Sequence, residues 1–135
     1  MKRGAEGARV VVNDLDETPA VETIEALHAA GAETTLCLGS VTDRGFAERF
    51  VTTALDTFGG LDIIVNNAGF TWDNVIQKMS DEQFQAVLDV HVTAPFRILR
   101  AAAEPIRTLA KQEAAEGREV FRKVVNISSV SGLGG

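Results

Sequence analysis

A chain of 135 residues has room for one domain, or part of one, with a real core. A formal net charge of −6 argues against nucleic acid or an anionic membrane as the main partner, and 45% hydrophobic with 24% charged residues is globular rather than disordered composition. No apolar run approaches the ~20 residues of a spanning helix, and Met1-Lys2-Arg3-Gly4 leads into no signal-type core, so cytoplasm is the default expectation.

In chain order, a unit recurs: polar helix, glycine, apolar strand. Most of the eight residues before the first strand resemble the tail of a helix, and Glu6-Gly7-Ala8 precedes the strand Arg9-Val-Val-Val-Asn13. Thr18 followed by Pro19 predicts a helix start, with Val21, Ile24 and Leu27 on its apolar face. Gly31 then leads into the strand Glu33–Leu38. Asp43 is the expected cap of a second helix, in which Phe46, Phe50, Ala54 and Phe58 recur every four residues.

Gly59-Gly60 precedes Leu61-Asp-Ile-Ile-Val65, whose β-branched run predicts a strand buried on both faces. It ends abruptly at Asn66-Asn67-Ala68-Gly69. In open α/β sheets that end is where ligands bind, and Gly69 would let one approach the main chain. Ser80 and Gln83 predict a capping box, followed by an apolar face of Phe84, Val87, Leu88 and His91. Pro95 should kink or interrupt that helix. Glu104 to Lys123 reads as a helix end plus a long surface loop, before a last strand, Val124–Ile127.

Strands alternating with helices imply βαβ units and a mainly parallel sheet, in one domain with no linker. Cys37, the only cysteine, is expected to be a buried small residue. One cysteine and two distant histidines give no zinc-type spacing, so no metal site is expected. A phosphoacceptor receiver domain would need an aspartate ending its central strand and a lysine after its fifth. Here that strand ends in asparagines, and Lys123 precedes the last strand.

Val12-Asn13-Asp14-Leu15, Val41-Thr42-Asp43, Asn66-Asn67-Ala68-Gly69 with Thr71-Trp72-Asp73-Asn74, and Asn126-Ile127-Ser128-Ser129-Val130-Ser131-Gly132 occur in order. In sequence and spacing they resemble the short-chain dehydrogenase/reductase family, and most closely its 3-oxoacyl-[acyl-carrier-protein] reductase-like members. The resemblance spans nearly all of residues 1–135. It implies a partial Rossmann-type doubly wound parallel sheet, the second to fifth strands of the family fold, in a single incomplete NAD(P)-binding domain. The family's TGxxxGxG loop and YxxxK pair are not in the sequence, which contains no tyrosine at all. In the family's order, 3-2-1-4-5, two strand pairs would then remain: Val10 with Glu33–Leu38, and Leu61 with Val124.

The resemblance also implies roles. Asp14 matches the carboxylate that holds the adenosine ribose, favouring NAD over NADP. Ser40 and Val41 match the adenine-side pair, with serine where the family usually has aspartate. Asn67, Ala68 and Gly69 match the segment flanking the cofactor's ribose, while Asn66 reads as a sheet-bridging amide. Ser129 matches the catalytic serine that orients the substrate carbonyl, and His91 stands where many members have an asparagine that anchors a water-linked proton relay. Ser128 and Ser131 read as turn hydroxyls.

The implied function is NAD(P)-dependent hydride transfer between nicotinamide and a carbonyl or alcohol, with 3-oxoacyl thioesters among the candidate substrates. Without the tyrosine and the glycine-rich loop, the chain alone is expected to be inactive and to bind the cofactor weakly. The alternative is a non-catalytic, partner-binding α/β module. Self-association through exposed sheet edges is expected on either reading.

Overall fold

The computed structural model describes residues 7–130, so the expected helix tail before Gly7, and Ser131 with Gly132, lie outside the described residues. Four short strands alternate with helices: β1 (Arg9–Val12), α1 (Glu17–Ala29), β2 (Glu33–Leu36), α2 (Phe46–Phe58), β3 (Ile63–Asn66), α3 (Asp81–Leu88), α4 (Ala94–Ala115) and β4 (Lys123–Asn126). β1 pairs with β2 and β3 with β4, both in parallel, with Val10 opposite Thr34 and Ile64 opposite Val124. No strand among the described residues lies between β1 and β3. These are the two pairs expected from the sequence.

Helix α2 joins them. Its apolar face touches β1 on one side and α4 on the other. Ala47 and Val51 of α2 bury themselves with Ile64 of β3 and with Ile98 and Ala102 of α4. Burying a side chain the size of Val51, Ile64 or Ile98 stabilises by about 1.5–3 kcal/mol, so this cluster ties α2 to the β3–β4 side, while the contact of α2 with β1 reaches the other pair. Phe46 is fully buried, as are Ala20 and Leu27 of α1 nearly so, and Cys37 is buried as expected.

Several local expectations are corrected. β3 is covered on one face only: Ile64 is 6% exposed, but Ile63 and Val65 are 42% and 46% exposed, because α2 and α4 both lie on the Ile64 side. α1 starts at Glu17 behind an extended Asp16, not at Thr18-Pro19. Gly45, in the left-handed conformation at φ 81°, stands at the head of α2 in place of Asp43, which contributes only its backbone carbonyl to Phe46 N–H.

The helix end after Glu104 is longer, and the loop shorter, than expected: α4 runs on through Pro105 to Ala115, and the loop is residues 116–122. Its far end is fixed by Glu113, only 8% exposed, whose two carboxylate oxygens accept from Arg122 Nη1 and Nη2 at 2.8 Å each. Arg122 Nε donates to the Leu61 carbonyl at 3.0 Å, tying the end of α4 to the start of β3. The forked guanidinium matches a carboxylate with two parallel bonds, which is the strong form of this pair.

The Ser80–Gln83 capping box is present, with both reciprocal bonds made. The expected interruption near Pro95 is a π-turn at Asp89–Thr93, which ends with Ala94 N–H bonded to the Asp89 carbonyl. Proline has no N–H for the carbonyl four residues back and its ring crowds that group. A wider turn just before Pro95 relieves both problems, and His91 lies inside it.

Candidate active site at the strand ends

A cavity of about 770 Å³ opens between the two strand pairs, at their carboxyl ends. Val11 and Val65 line its depth. Its rim is Asn13–Leu15 after β1, Gly39–Thr42 after β2 and Asn66–Phe70 after β3, and Ala86, Asp89 and Pro95 close it from the helical side. Of the eight residues singled out from the sequence, Asp14, Ser40, Val41, Asn67, Ala68 and Gly69 all line this one cavity.

Asp14 Oδ1 accepts the backbone N–H of Asp16 at 3.2 Å, a local turn bond, while Oδ2 has no hydrogen-bond partner among the described residues. The Asp14 carbonyl accepts Gly39 N–H at 3.0 Å. Ser40 Oγ accepts Thr42 N–H at 3.2 Å and shares a hydrogen with Thr42 Oγ1 at 2.7 Å, so its hydroxyl is already engaged in its own turn. Asn66 is the sheet-bridging amide it was read to be: its Nδ2 donates to Asn126 Oδ1 at 2.8 Å.

His91 is not among the lining residues but backs them. Its Nε2–H donates to the Phe70 carbonyl at 2.9 Å, and its ring lies against Gly69. A carbonyl only accepts, so Nε2 carries the hydrogen of this bond and Nδ1 is the ring nitrogen it leaves uncommitted. The His91 ring thus fills the position that a side chain on Gly69 would take, while Gly69 itself lines the cavity. Ser129 lies three residues beyond β4 and is exposed, outside the cavity wall. His28 is far from this site, bonded to Thr34 Oγ1 at 2.6 Å.

Sequence reasoning missed three groups. Asn13 Nδ2 donates to the carbonyls of Cys37 and Gly39, both at 2.9 Å. Arg49 Nη2 donates to the Leu38 carbonyl at 2.7 Å, and Arg97 Nη1 reaches from α4 to the Thr42 carbonyl at 3.1 Å. All three hold the loop after β2. Only Asn13 gave a signal, as a polar amide ending an apolar strand. Gly39 sits in that loop at φ 133°, a backbone conformation that favours glycine, and a Cβ there would come 2.6 Å from Arg49 Nη2 and displace it.

These walls suit an adenosine group: one carboxylate with an uncommitted oxygen, small and apolar residues beside it, and exposed main chain at Asn67–Gly69. They do not suit a pyrophosphate. The charged residues among them are Asp14 and Asp89, and among the described residues no cation lines the cavity.

The family model described as short chain dehydrogenase matches residues 2–135. The chain belongs to the short-chain dehydrogenase family. A hydroxyacyl-CoA dehydrogenase of Mycobacterium tuberculosis is 44% identical to it over 134 residues, 96% of this chain and 41% of that protein. A 3-oxoacyl-[acyl-carrier-protein] reductase of Synechocystis is 31% identical over 132 residues, covering 97% of this chain and 49% of its own length. The crystal structure of a short chain dehydrogenase from Mycobacterium avium superposes with a TM-score of 0.83 at 38% identity, over 96% of this chain and 47% of that one. The chain thus spans less than half the length of these short-chain dehydrogenases, and its fold is the corresponding part of a Rossmann-type sheet. No helix among the described residues is long and apolar enough to cross a membrane.

Proposed function

We propose that these residues form the adenosine-binding part of a cytoplasmic, NAD-dependent oxidoreductase that interconverts a hydroxyl and a carbonyl on an acyl thioester. The observation that carries this reading is the single cavity in which Asp14, Val41 and Asn67–Gly69 meet at the carboxyl ends of β1 and β3. When bound, the nicotinamide supplies or takes the hydride. Asp14 accepts hydrogen bonds from the ribose hydroxyls and repels a 2′-phosphate, which favours NAD. Val41 and Ala68 flank the adenosine, and Ser40, its hydroxyl engaged with Thr42, lines the adenine side.

Ser129 orients the substrate oxygen just past β4. His91, its Nε2–H committed to Phe70, offers Nδ1 to a water that passes a proton. The 135-residue chain does not turn over by itself, because it contains no tyrosine to act as proton donor. The thioester substrate rests on two named relatives, the hydroxyacyl-CoA dehydrogenase and the 3-oxoacyl-[acyl-carrier-protein] reductase. A non-catalytic, partner-binding role is the second reading, favoured by the edges of β1 and β3 that pair with no strand among the described residues.

The test is a chimera in which these residues replace the matching half of the Mycobacterium avium short chain dehydrogenase. Hydrogen bonds to a charged acceptor contribute about 1.5–3 kcal/mol, so Asp14→Ala should erode a preference for NADH over NADPH by roughly ten- to a hundredfold. Equal use of both cofactors by the folded chimera, unchanged by the substitution, would overturn the reading.

A further inference from the structure

We infer that Asn13 is a positioning residue that sets the distance between the two walls of the adenosine site, a role that rests on the reading of that site just given. β1 and β2 end where the site begins, and beyond the end of β2 backbone bonds from Cys37 N–H to the Val12 carbonyl at 2.9 Å and from Gly39 N–H to the Asp14 carbonyl at 3.0 Å still link the two chains. Asn13 adds side-chain bonds to these. Its side-chain amide reaches across to the carbonyls of Cys37 and Gly39, both at 2.9 Å, and a longer contact of 3.3 Å returns to its neighbour's carbonyl on Asp14.

An amide NH₂ has two protons and no competing need here. Both go to the facing loop, and Gly39 N–H answers with a bond to the Asp14 carbonyl at 3.0 Å. The three bonds enclose the backbone from Asn13 to Asp14 on one side and from Cys37 to Gly39 on the other. Of the two polar groups offered to ribose and adenine, Asp14 belongs to this closed ring and Ser40 is the next residue along from it. Asn13 itself aims its donors at main chain, so it acts through its neighbours, and a group held by such support binds without first being ordered.

Chemistry at this position is narrow. Alanine removes both donors and leaves two carbonyls unpaired. Serine keeps one donor. A purely structural residue would lower stability and leave ligand discrimination alone, whereas a positioning residue changes the discrimination that Asp14 exerts.

The experiment titrates adenosine and adenosine 2′-monophosphate into the 135-residue chain by ligand-observed NMR, with melting recorded on the same samples. The wild type should bind adenosine in preference to the 2′-phosphate. Loss of the amide should reduce that preference by about five- to tenfold in Asn13→Ala, with Asn13→Ser in between. Leu27→Ala, a cavity in α1 away from the site, should lower the melting temperature without changing the preference. If Asn13→Ala does not fold, Asn13→Ser is read in its place, and a preference reduced below that of the wild type supports the role.

An unchanged preference in the folded Asn13 variant, or an equal loss in Leu27→Ala, would overturn the role of Asn13 while leaving the adenosine site intact. No preference in the wild type would overturn both.

Discussion

The imidazole of His91 occupies the space that a side chain on Gly69 would need: an ideal Cβ built there would come 2.5 Å from Cε1. The same ring donates from Nε2 to the Phe70 carbonyl at 2.9 Å and lies tilted against the Phe70 ring, 6.5 Å between centroids. The π-turn ahead of Pro95 is thus locked onto the loop that leaves β3, and that loop forms one wall of the site.

Gly69→Ala should push the ring away and cost about 1–3 kcal/mol, from overpacking and the lost hydrogen bond. In a His91→Ala background the same substitution should cost much less. A double-mutant cycle by chemical denaturation at matched protein concentration measures this coupling. Strict additivity would show that the contact is not made.

The Glu113–Arg122 pair should give the chain an acid-sensitive joint. The two-pronged hydrogen bond from Arg122, aided by its charge and that of Arg118, holds the Glu113 carboxyl below its ordinary 4.5 against an opposing effect of burial. The carboxylate form is favoured by folding, so its contribution is complete above 4.5 and is lost as pH falls through the lowered folded value. Melting temperature against pH should therefore drop on the acid side in the wild type, and the drop should be shallower in Glu113→Gln. Glu113→Ala should cost far more than Glu104→Ala, whose partner Arg107 is 3.6 Å away in an exposed pair. Equal losses would contradict the clamp.

The facing edges of β1 and β3 carry unpaired backbone groups among the described residues, next to the half-exposed Ile63 and Val65. Such edges recruit other strands. The 135-residue chain should self-associate, with a melting transition that depends on protein concentration. Sedimentation velocity across a dilution series, run beside thermal unfolding, checks this. A sharp two-state melt from a monomer at every concentration would contradict it.

How much of this could be read from the amino acids depended on where the causes lay. Local chemistry was legible: the Ser80–Gln83 box, the break near Pro95 and the four strands follow from residues a few positions apart. Asn66 and Asn13 both end apolar strands, but only the first was read as a bridge. The partners of Asn13 are carbonyls, which every residue has, so nothing in the sequence marks Cys37 and Gly39 as its acceptors. The length of α4 was missed because Glu113 gains its anchor from Arg122, beyond the helix. The burial of β3 was overestimated because a β-branched run does not say whether one face or two will be covered. The motif residues after β1, β2 and β3 were found together, but nothing in the sequence marks His91 as the ring that a side chain on Gly69 would meet.

The central claim is that Asp14 accepts hydrogen bonds from the ribose of an adenosine group. Its most direct test is the affinity of the 135-residue chain for adenosine and for 2′,3′-dideoxyadenosine, in wild type and Asp14→Ala, by ligand-observed NMR. Expected is a loss of about tenfold or more when the hydroxyls are removed from the ligand in the wild type, and little further loss once Asp14 is gone. Equal binding of the two nucleosides by the wild type would contradict the claim.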